Sequence, residues 1–314
     1  FYYWETIKSV MDIAKIYLIP AIKAKPLSIL DLPQRFNHVR GHPMAKAMIE
    51  NALFDLIGKR NATPLYQMLG GEHRSIASGI SIGIQDSTDQ LMLKINESVN
   101  KKYHRIKIKI KKGMEHQTLQ EIRRQFPAIR MLVDANSCYG IDDLNLLSDL
   151  DQWSLMMIEQ PFHPNDLFQH ARLQEAIRTP ICLDDSISGF HQAVSAIRMR
   201  SCRIMNIKQG RVGGLMEAAK IQALCKENGI DAWAGGMLET GIGRAQNLHL
   251  QSLPGYTLPG DVSETSRYFS EDIVEETVRL DADGSVSIPV KSGIGVTIRP
   301  DRIQKYRTFH QVIT

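Results

Sequence analysis

Three short apolar runs, at 131–134, 155–159 and 181–184, end in Asp134, Glu159 and Asp184, and successive carboxylates are 25 residues apart. A fourth run, at 203–208, ends in Lys208, 24 residues further on. A beat of this length, with a strand-like start and a helix-like remainder, is a βα repeat. Repeated βα units build a parallel sheet, and eight of them close into a barrel whose C-terminal strand ends line the functional site. The chain therefore reads as α/β, with 314 residues to fill one barrel and a smaller second domain.

The barrel is expected over 75–262, with strands at 75–83 and 103–110, then three ending at Asp134, Glu159 and Asp184, one ending at Lys208, one at 231–234 and a short one near 256–258. Helical stretches at 89–100, 116–125, 142–151, 165–176, 189–198, 213–228 and 243–252 fill the gaps. Ahead of the barrel, in 1–74, apolar spacing predicts a helix over 4–19 ended by Pro20. An irregular stretch over 22–42 holds Pro26, Pro33 and Gly41. A helix from Pro43 to about Gly58 follows, then a short one at 64–69 stopped by Gly70-Gly71. Past Asp261 the beat is lost, and 274–280 with 285–288, joined by Asp283-Gly284, predict a hairpin. This tail, 263–314, is expected to join the front section in a second domain.

The run 105–110 alternates basic and apolar residues. On a strand, Ile106, Ile108 and Ile110 share one face, and Arg105, Lys107 and Lys109 share the other. The isoleucine face needs a core, and the basic face needs water or negative charge. With the basic residues interleaved singly, without aromatic stacking residues, and a net charge of only +4, nucleic acid is not an expected partner. No run of about 18 apolar residues is present, so no membrane span is expected. Cys138, Cys182, Cys202 and Cys225 form no Cys-x-x-Cys pair and read as reduced core thiols of a cytoplasmic protein. The sequence starts at Phe1 without methionine, so the natural N-terminus is expected upstream.

Asp134, Glu159 and Asp184 would stand at the ends of three adjacent strands, a few ångströms apart. Unpaired, they would repel one another strongly in a low dielectric. A divalent cation resolves this, and three oxygen donors without histidine or cysteine favour Mg²⁺, with Mn²⁺ as a substitute. Taken singly, each could equally be a helix cap or half of an ion pair. Lys109 and Lys208 lie four strands apart and so face each other across the mouth of an eight-stranded barrel. That is a two-base arrangement, in which one amine removes a proton and the other returns it from the opposite face. Nearby cations, Lys107 and Arg211 among them, are expected to depress the lysine pKa values. Lys107 reads equally as an ion-pair partner of a metal-site carboxylate. The reaction class these groups suit is removal of a proton α to a carboxylate through an enediolate, a pattern already known for lysine bases working with Mg²⁺.

These residues resemble the enolase superfamily, in its muconate-lactonizing-enzyme subgroup. The resemblance rests on Lys107-Ile-Lys109, Val133-Asp-Ala-Asn136, Ile158-Glu-Gln-Pro161, Cys182-Leu-Asp-Asp-Ser186 and Asn206-Ile-Lys208. Within the subgroup, the stretches 208–214, 235–244 and 258–263 resemble the o-succinylbenzoate synthases and the N-succinylamino acid racemases mixed among them. The resemblance implies a (β/α)₇β barrel with an α+β capping domain built from both chain ends. It implies Mg²⁺ on Asp134, Glu159 and Asp184, with Lys109 and Lys208 as the acid/base pair and Lys107 assisting at the substrate carboxylate. Ser81, Gly236, Met237 and Glu239 are placed around the substrate. For Ser81 and Glu239, barrel packing or loop capping is an equal alternative. Asn136, Asp185, Asn206 and Arg211 are placed beside the metal ligands and lysines.

Two departures stand out. Family members often carry Glu at the place of Asp185, and the family's N-terminal strands and substrate-covering loops do not precede Phe1 in this sequence. Those segments are expected to belong to the natural protein. The activity implied is dehydration of a cyclohexadiene carboxylate in menaquinone synthesis. Racemisation of N-succinylamino acids is the alternative, and Arg211 in its Lys-x-Gly-Arg setting resembles sequences with racemase capacity. Dipeptide epimerisation fits less well, because Ser263 stands where that group carries a second Asp after Asp261; muconate cycloisomerisation is a further alternative. A small-molecule carboxylate is the expected partner, and barrels of this kind are often homo-oligomers.

Overall fold

The computed structural model describes residues 3–24, 28–72, 74–310 and 312. Its strands are β1 (Ser75–Ala77), β2 (Gly79–Ile82), β3 (Arg105–Lys109), β4 (Met131–Asp134), β5 (Ile158–Glu159), β6 (Ile181–Leu183), β7 (Ile204–Ile207), β8 (Asp231–Ala234) and β9 (Ser285–Ser287). Strands β2 to β8 lie in chain order in one parallel sheet, as the 25-residue beat predicts. Two-residue periodicity then sorts the side chains. Ile106, Ile108, Met131, Val133, Ile158, Ile181, Met205 and Ile207 face outward into the main apolar cluster. Leu132, Met157, Cys182, Ile204 and Trp233 form a separate cluster inside the curl of the sheet. The outward set packs under helices such as Thr88–Asn100, Leu215–Glu227 and Gly241–Gln251.

The expected first and last strands both differ from the prediction. The first bends at Ser78, so that β1 pairs antiparallel with β9 while β2 opens the parallel sheet. The last, expected near 256–258, is not a regular strand. Asp261 donates its N–H to Ala234 O at 3.1 Å on one side, and Gly79 donates to Gly260 O at 2.7 Å on the other. With Leu258 N–H donating to Ala232 O at 3.2 Å and Gly260 N–H to Ala77 O at 3.2 Å, these bonds close the gap between β8 and β2. Pro259 sits in the segment without an N–H, which prevents a continuous ladder.

The hairpin expected in the tail does not form. A turn does exist, with Gly284 N–H donating to Asp281 O, but Val286 pairs with Ile76 instead. Within 274–280 the backbone is paired elsewhere: the N–H and C=O of Val278 are taken by Thr265, and Glu275 donates its N–H to Thr297 O at 2.9 Å. The first helix also outlasts its expected end. It runs as Ile7–Ile13, a π-helical turn at Ala14–Leu18, and Ile19–Lys23, with Pro20 inside. The wide turn leaves room for the proline ring, and Pro20 falls at the start of the last segment, where its missing N–H costs little. Pro26 lies outside the described residues. Cys182, Cys202 and Cys225 are buried free thiols, whereas Cys138 is exposed and not a core thiol. Among the described residues no helix is long and apolar enough to cross a membrane.

The front section and the tail lean on the barrel through polar contacts as well as apolar ones. Glu50, on helix Pro43–Arg60, accepts the N–H of Met216 at 2.9 Å and so caps the barrel helix Leu215–Glu227 from outside. Gly214 makes this approach possible: its φ is +137°, and a Cβ there would stand 2.4 Å from Glu50 Oε1. Burial pushes the Glu50 carboxyl up to about 7. Asn51 Nδ2, on the same helix, donates to Gln209 Oε1 at 2.9 Å, next to Lys208. His249, in the last barrel helix, accepts the N–H of Tyr66 on Nδ1 at 3.1 Å and donates from Nε2 to Ile294 O at 3.0 Å.

That geometry holds His249 neutral, and burial pulls its pKa from 6.5 down to about 4. The native chain then resists a proton that the unfolded chain takes up below about 6.5. The contribution is whole above that pH and is lost as pH falls toward 4, amounting to about 2 kcal/mol between pH 7 and pH 5. Thermal unfolding should therefore drop more over this range in the parent chain than in His249→Gln, which keeps an acceptor and a donor but no titrating ring. Equal drops would rule out the neutral lock.

Candidate active site

The inward positions of the strands stack in layers up the barrel. Arg105 lies at the bottom, fully buried, with its guanidinium 4.2 Å from the Trp233 ring centroid. It donates from Nε to Pro259 O at 3.1 Å and from Nη2 to Asp261 Oδ1 at 2.5 Å. Gly79 is required beside it, since a Cβ there would come 2.4 Å from the guanidinium. One layer up, Lys107 Nζ stands 3.1 Å from Glu159 Oε1, 3.2 Å from Asp261 Oδ2 and 3.4 Å from Asp134 Oδ2. Asn206 Nδ2 donates to the same Glu159 oxygen at 3.0 Å.

The top layer carries the two outer lysines. Lys109 pairs with Asp134 Oδ2 at 2.8 Å and donates to Asn136 Oδ1. Asn136 donates its backbone N–H to Asp134 Oδ1 at 3.0 Å. Lys208 pairs with Asp184 Oδ2 at 2.8 Å, and Arg211 binds Asp184 Oδ1 at 2.6 Å and Asp185 Oδ1 at 2.7 Å. The carboxylates of β4, β5 and the end of β6 thus form a row, with Lys109 anchored at one end and Lys208 at the other.

Burial alone would strip Lys107 of its proton, but Asp261, Glu159 and Asp134 outweigh it and hold the ammonium well above its ordinary pKa. Lys107 is therefore a fixed cation beside the other two lysines, because its nearest neighbours are carboxylates. Burial pushes Glu159 up, and Asp134 adds to the rise. For Asp184, burial is overcome by Lys208 and Arg211, which keep it well below the usual carboxylate range.

Above these groups opens a cavity of about 370 Å³, lined in part by Ser81, Lys107, Lys109, Lys208, Met237 and Tyr268. Gly236, Leu238, Asp261 and Ser263 also border it. Glu239 spends its carboxylate on structure, accepting the Met237 N–H of its own loop at 2.7 Å and the side-chain amide of Asn247, on helix Gly241–Gln251, at 3.1 Å. Asp261 and Arg105 lie outside the expected site residues, and both are central. Arg105 shared the lysine face of β3, which was the available signal. Asp261 shows its role only once the chain closes between β8 and β2.

Among the described residues no three carboxylate, imidazole or thiol groups converge as a ready cation cage, because the carboxylates face ammonium and guanidinium groups. The residues nevertheless fit a hard divalent cation. All three donors are carboxylates on neighbouring strand ends, and Glu159 Oε2 is buried without a hydrogen-bond partner.

Residues 90–302 match the family profile described as enolase C-terminal domain-like. The chain is 43% identical to an o-succinylbenzoate synthase of Geobacillus kaustophilus over 99% of its own length and 84% of the relative. It is 45% identical to an N-succinylamino acid racemase of Thermus thermophilus over 83% of its length and 70% of the relative. A crystal structure of an enolase-superfamily protein of Enterococcus faecalis, described as an unknown member, superposes with a TM-score of 0.92 at 41% identity, covering 97% of this chain and 83% of that one.

Substituting Asp261→Asn should cost about 3–5 kcal/mol of stability in urea unfolding, since it leaves the fully buried Arg105 without a counter-charge. A loss below about 1 kcal/mol, the range of solvent-exposed pairs, would show that Asp261 is not the partner that neutralises Arg105.

Proposed function

The chain belongs to the muconate-lactonizing-enzyme subgroup of the enolase superfamily, and from that premise we propose that it catalyses the o-succinylbenzoate synthase reaction, the syn loss of water from a cyclohexadiene carboxylate in menaquinone synthesis. The observation that carries this reading is the single cavity reached by Lys107, Lys109 and Lys208, with the last two anchored at opposite ends of the carboxylate row. Residues 75–262 act as the barrel, and 1–74 with 263–314 as the capping domain.

Asp134, Glu159 and Asp184 would hold Mg²⁺ or Mn²⁺, which when bound supplies positive charge for the substrate carboxylate. Lys109 takes the α-proton. It is the most accessible of the three lysines, with 29% of its side chain exposed against 5–6% for Lys107 and Lys208, so it exchanges protons with water most readily. The same ammonium then protonates the hydroxyl leaving on that face, and the ring becomes aromatic as water departs. Lys107, held charged, stabilises the negative charge that develops on the enediolate oxygens. Lys208 stands on the far face as an ammonium and stabilises the same charge.

A second reading is racemisation of an N-succinylamino acid. It is favoured by the placement of Lys109 and Lys208 on opposite flanks, which supplies a base and an acid for either enantiomer. Both activities can reside in one site, because both begin with the same proton removal.

Replacing Lys109 with Ala should lower dehydration by about 10²- to 10⁴-fold, the usual contribution of a general base. Lys208→Ala should abolish racemisation and leave measurable dehydration. Full dehydration activity in Lys109→Ala would refute its assignment as the base. Removing divalent cations with a chelator should silence the enzyme, and added Mg²⁺ or Mn²⁺ should restore it; activity that persists in the chelator would exclude the metal.

A further inference from the structure

We propose that Gln160 is a positioning residue that fixes the spacing between the Glu159 and Asp184 carboxylates. This rests on reading Asp134, Glu159 and Asp184 as the set that holds the divalent cation. The need for such a residue comes from the sheet. Strand β5 has only two residues, and its ladder with β6 ends at the pair Glu159–Cys182. Asp184 lies two residues beyond that pair, where strand pairing no longer sets its distance from β5.

The Gln160 side chain bridges this gap. Its Oε1 accepts the backbone N–H of Asp184 at 2.9 Å and that of Ser186 at 3.1 Å. Its Nε2 donates to Phe162 O at 3.0 Å and to Ser186 Oγ at 2.8 Å. Its own N–H donates to Cys182 O at 2.9 Å, and its C=O accepts from Ser137 N at 2.8 Å, in the turn that follows Asp134. One residue therefore ties together the backbones that carry all three carboxylates. It is fully buried, and its φ of +41° is uncommon for a residue with a side chain. His170 holds the next turn in place, accepting the Phe162 N–H on Nε2 at 3.3 Å while its Nδ1 donates to Asp166 O at 2.7 Å.

An amide suits the position because both of its ends are used, an acceptor toward two N–H groups and a donor toward two oxygens. A cation held by carboxylates on different strands is sensitive to their separation, and small Mg²⁺ tolerates little variation. Groups that orient metal ligands from behind contribute about 10- to 100-fold in affinity.

The test is calorimetric titration of Mg²⁺ into the full chain and into Gln160→Met, which keeps the side-chain length and removes every amide hydrogen bond. With circular dichroism unchanged, the dissociation constant should rise by about 10-fold or more. A merely structural role would lower the melting temperature without this change. A folded Gln160→Met chain binding Mg²⁺ within about twofold of the parent would overturn the proposal while leaving the carboxylate reading intact. A parent chain that takes up no Mg²⁺ would overturn that reading itself. If Gln160→Met fails to fold, Ser186→Ala, which removes only one of the amide's partners, carries the test. Its dissociation constant should rise measurably, and a value equal to the parent's would overturn the proposal.

Discussion

Charge neutrality inside a low-dielectric barrel governs this structure. Arg105, Lys107 and Lys208 are almost wholly buried, and so are Asp134, Glu159 and Asp184. None of these ions could be tolerated there singly, since the cost of burying an uncompensated charge is several kcal/mol or about that order. Each is tolerated because the alternation of strand residues turns it inward to a counter-charge: Lys107 reaches Asp134 and Glu159, Lys208 meets Asp184, and Asp261 from the closing segment meets Arg105. Lys107, between Asp134, Glu159 and Asp261, is the centre of this arrangement. Its fixed ammonium is both a structural counter-ion and a source of positive potential at the cavity floor.

The same alternation explains how much of the site was legible in the sequence. A two-residue period fixes which face each side chain takes, and a 25-residue beat fixes which strand it stands on. Asp134, Glu159, Asp184, Lys109 and Lys208 could be placed from these two rules alone. Asp261 could not, because the segment that carries it is not a regular strand and is interrupted by Pro259. The hairpin reading failed for a related reason: alternation in 274–280 and 285–288 signals extended backbone but does not name its partner, and β1 competed successfully for β9.

Gln160 and Glu50 were silent for another reason. An amide that bridges two strand ends, or a carboxylate that caps a helix far along the chain, leaves no local periodic signal. Glu50 is 166 residues from the N–H it accepts. Such contacts become visible only once the chain path is known, although the Gly213-Gly214 pair ahead of helix Leu215–Glu227 marks a place where something must approach closely.

The cap supplied by Glu50 also constrains inheritance. The helix it serves begins directly after the segment that carries Lys208 and Arg211, and Gly214 is shaped to receive that one carboxylate. A chimera that joined this barrel to the front section of a distant relative would trade a matched cap for an empty or obstructed one, beside the lysine end of the site. The two parts are therefore expected to diversify as a linked pair, with recombination boundaries that keep Glu50 and Gly214 in the same parent.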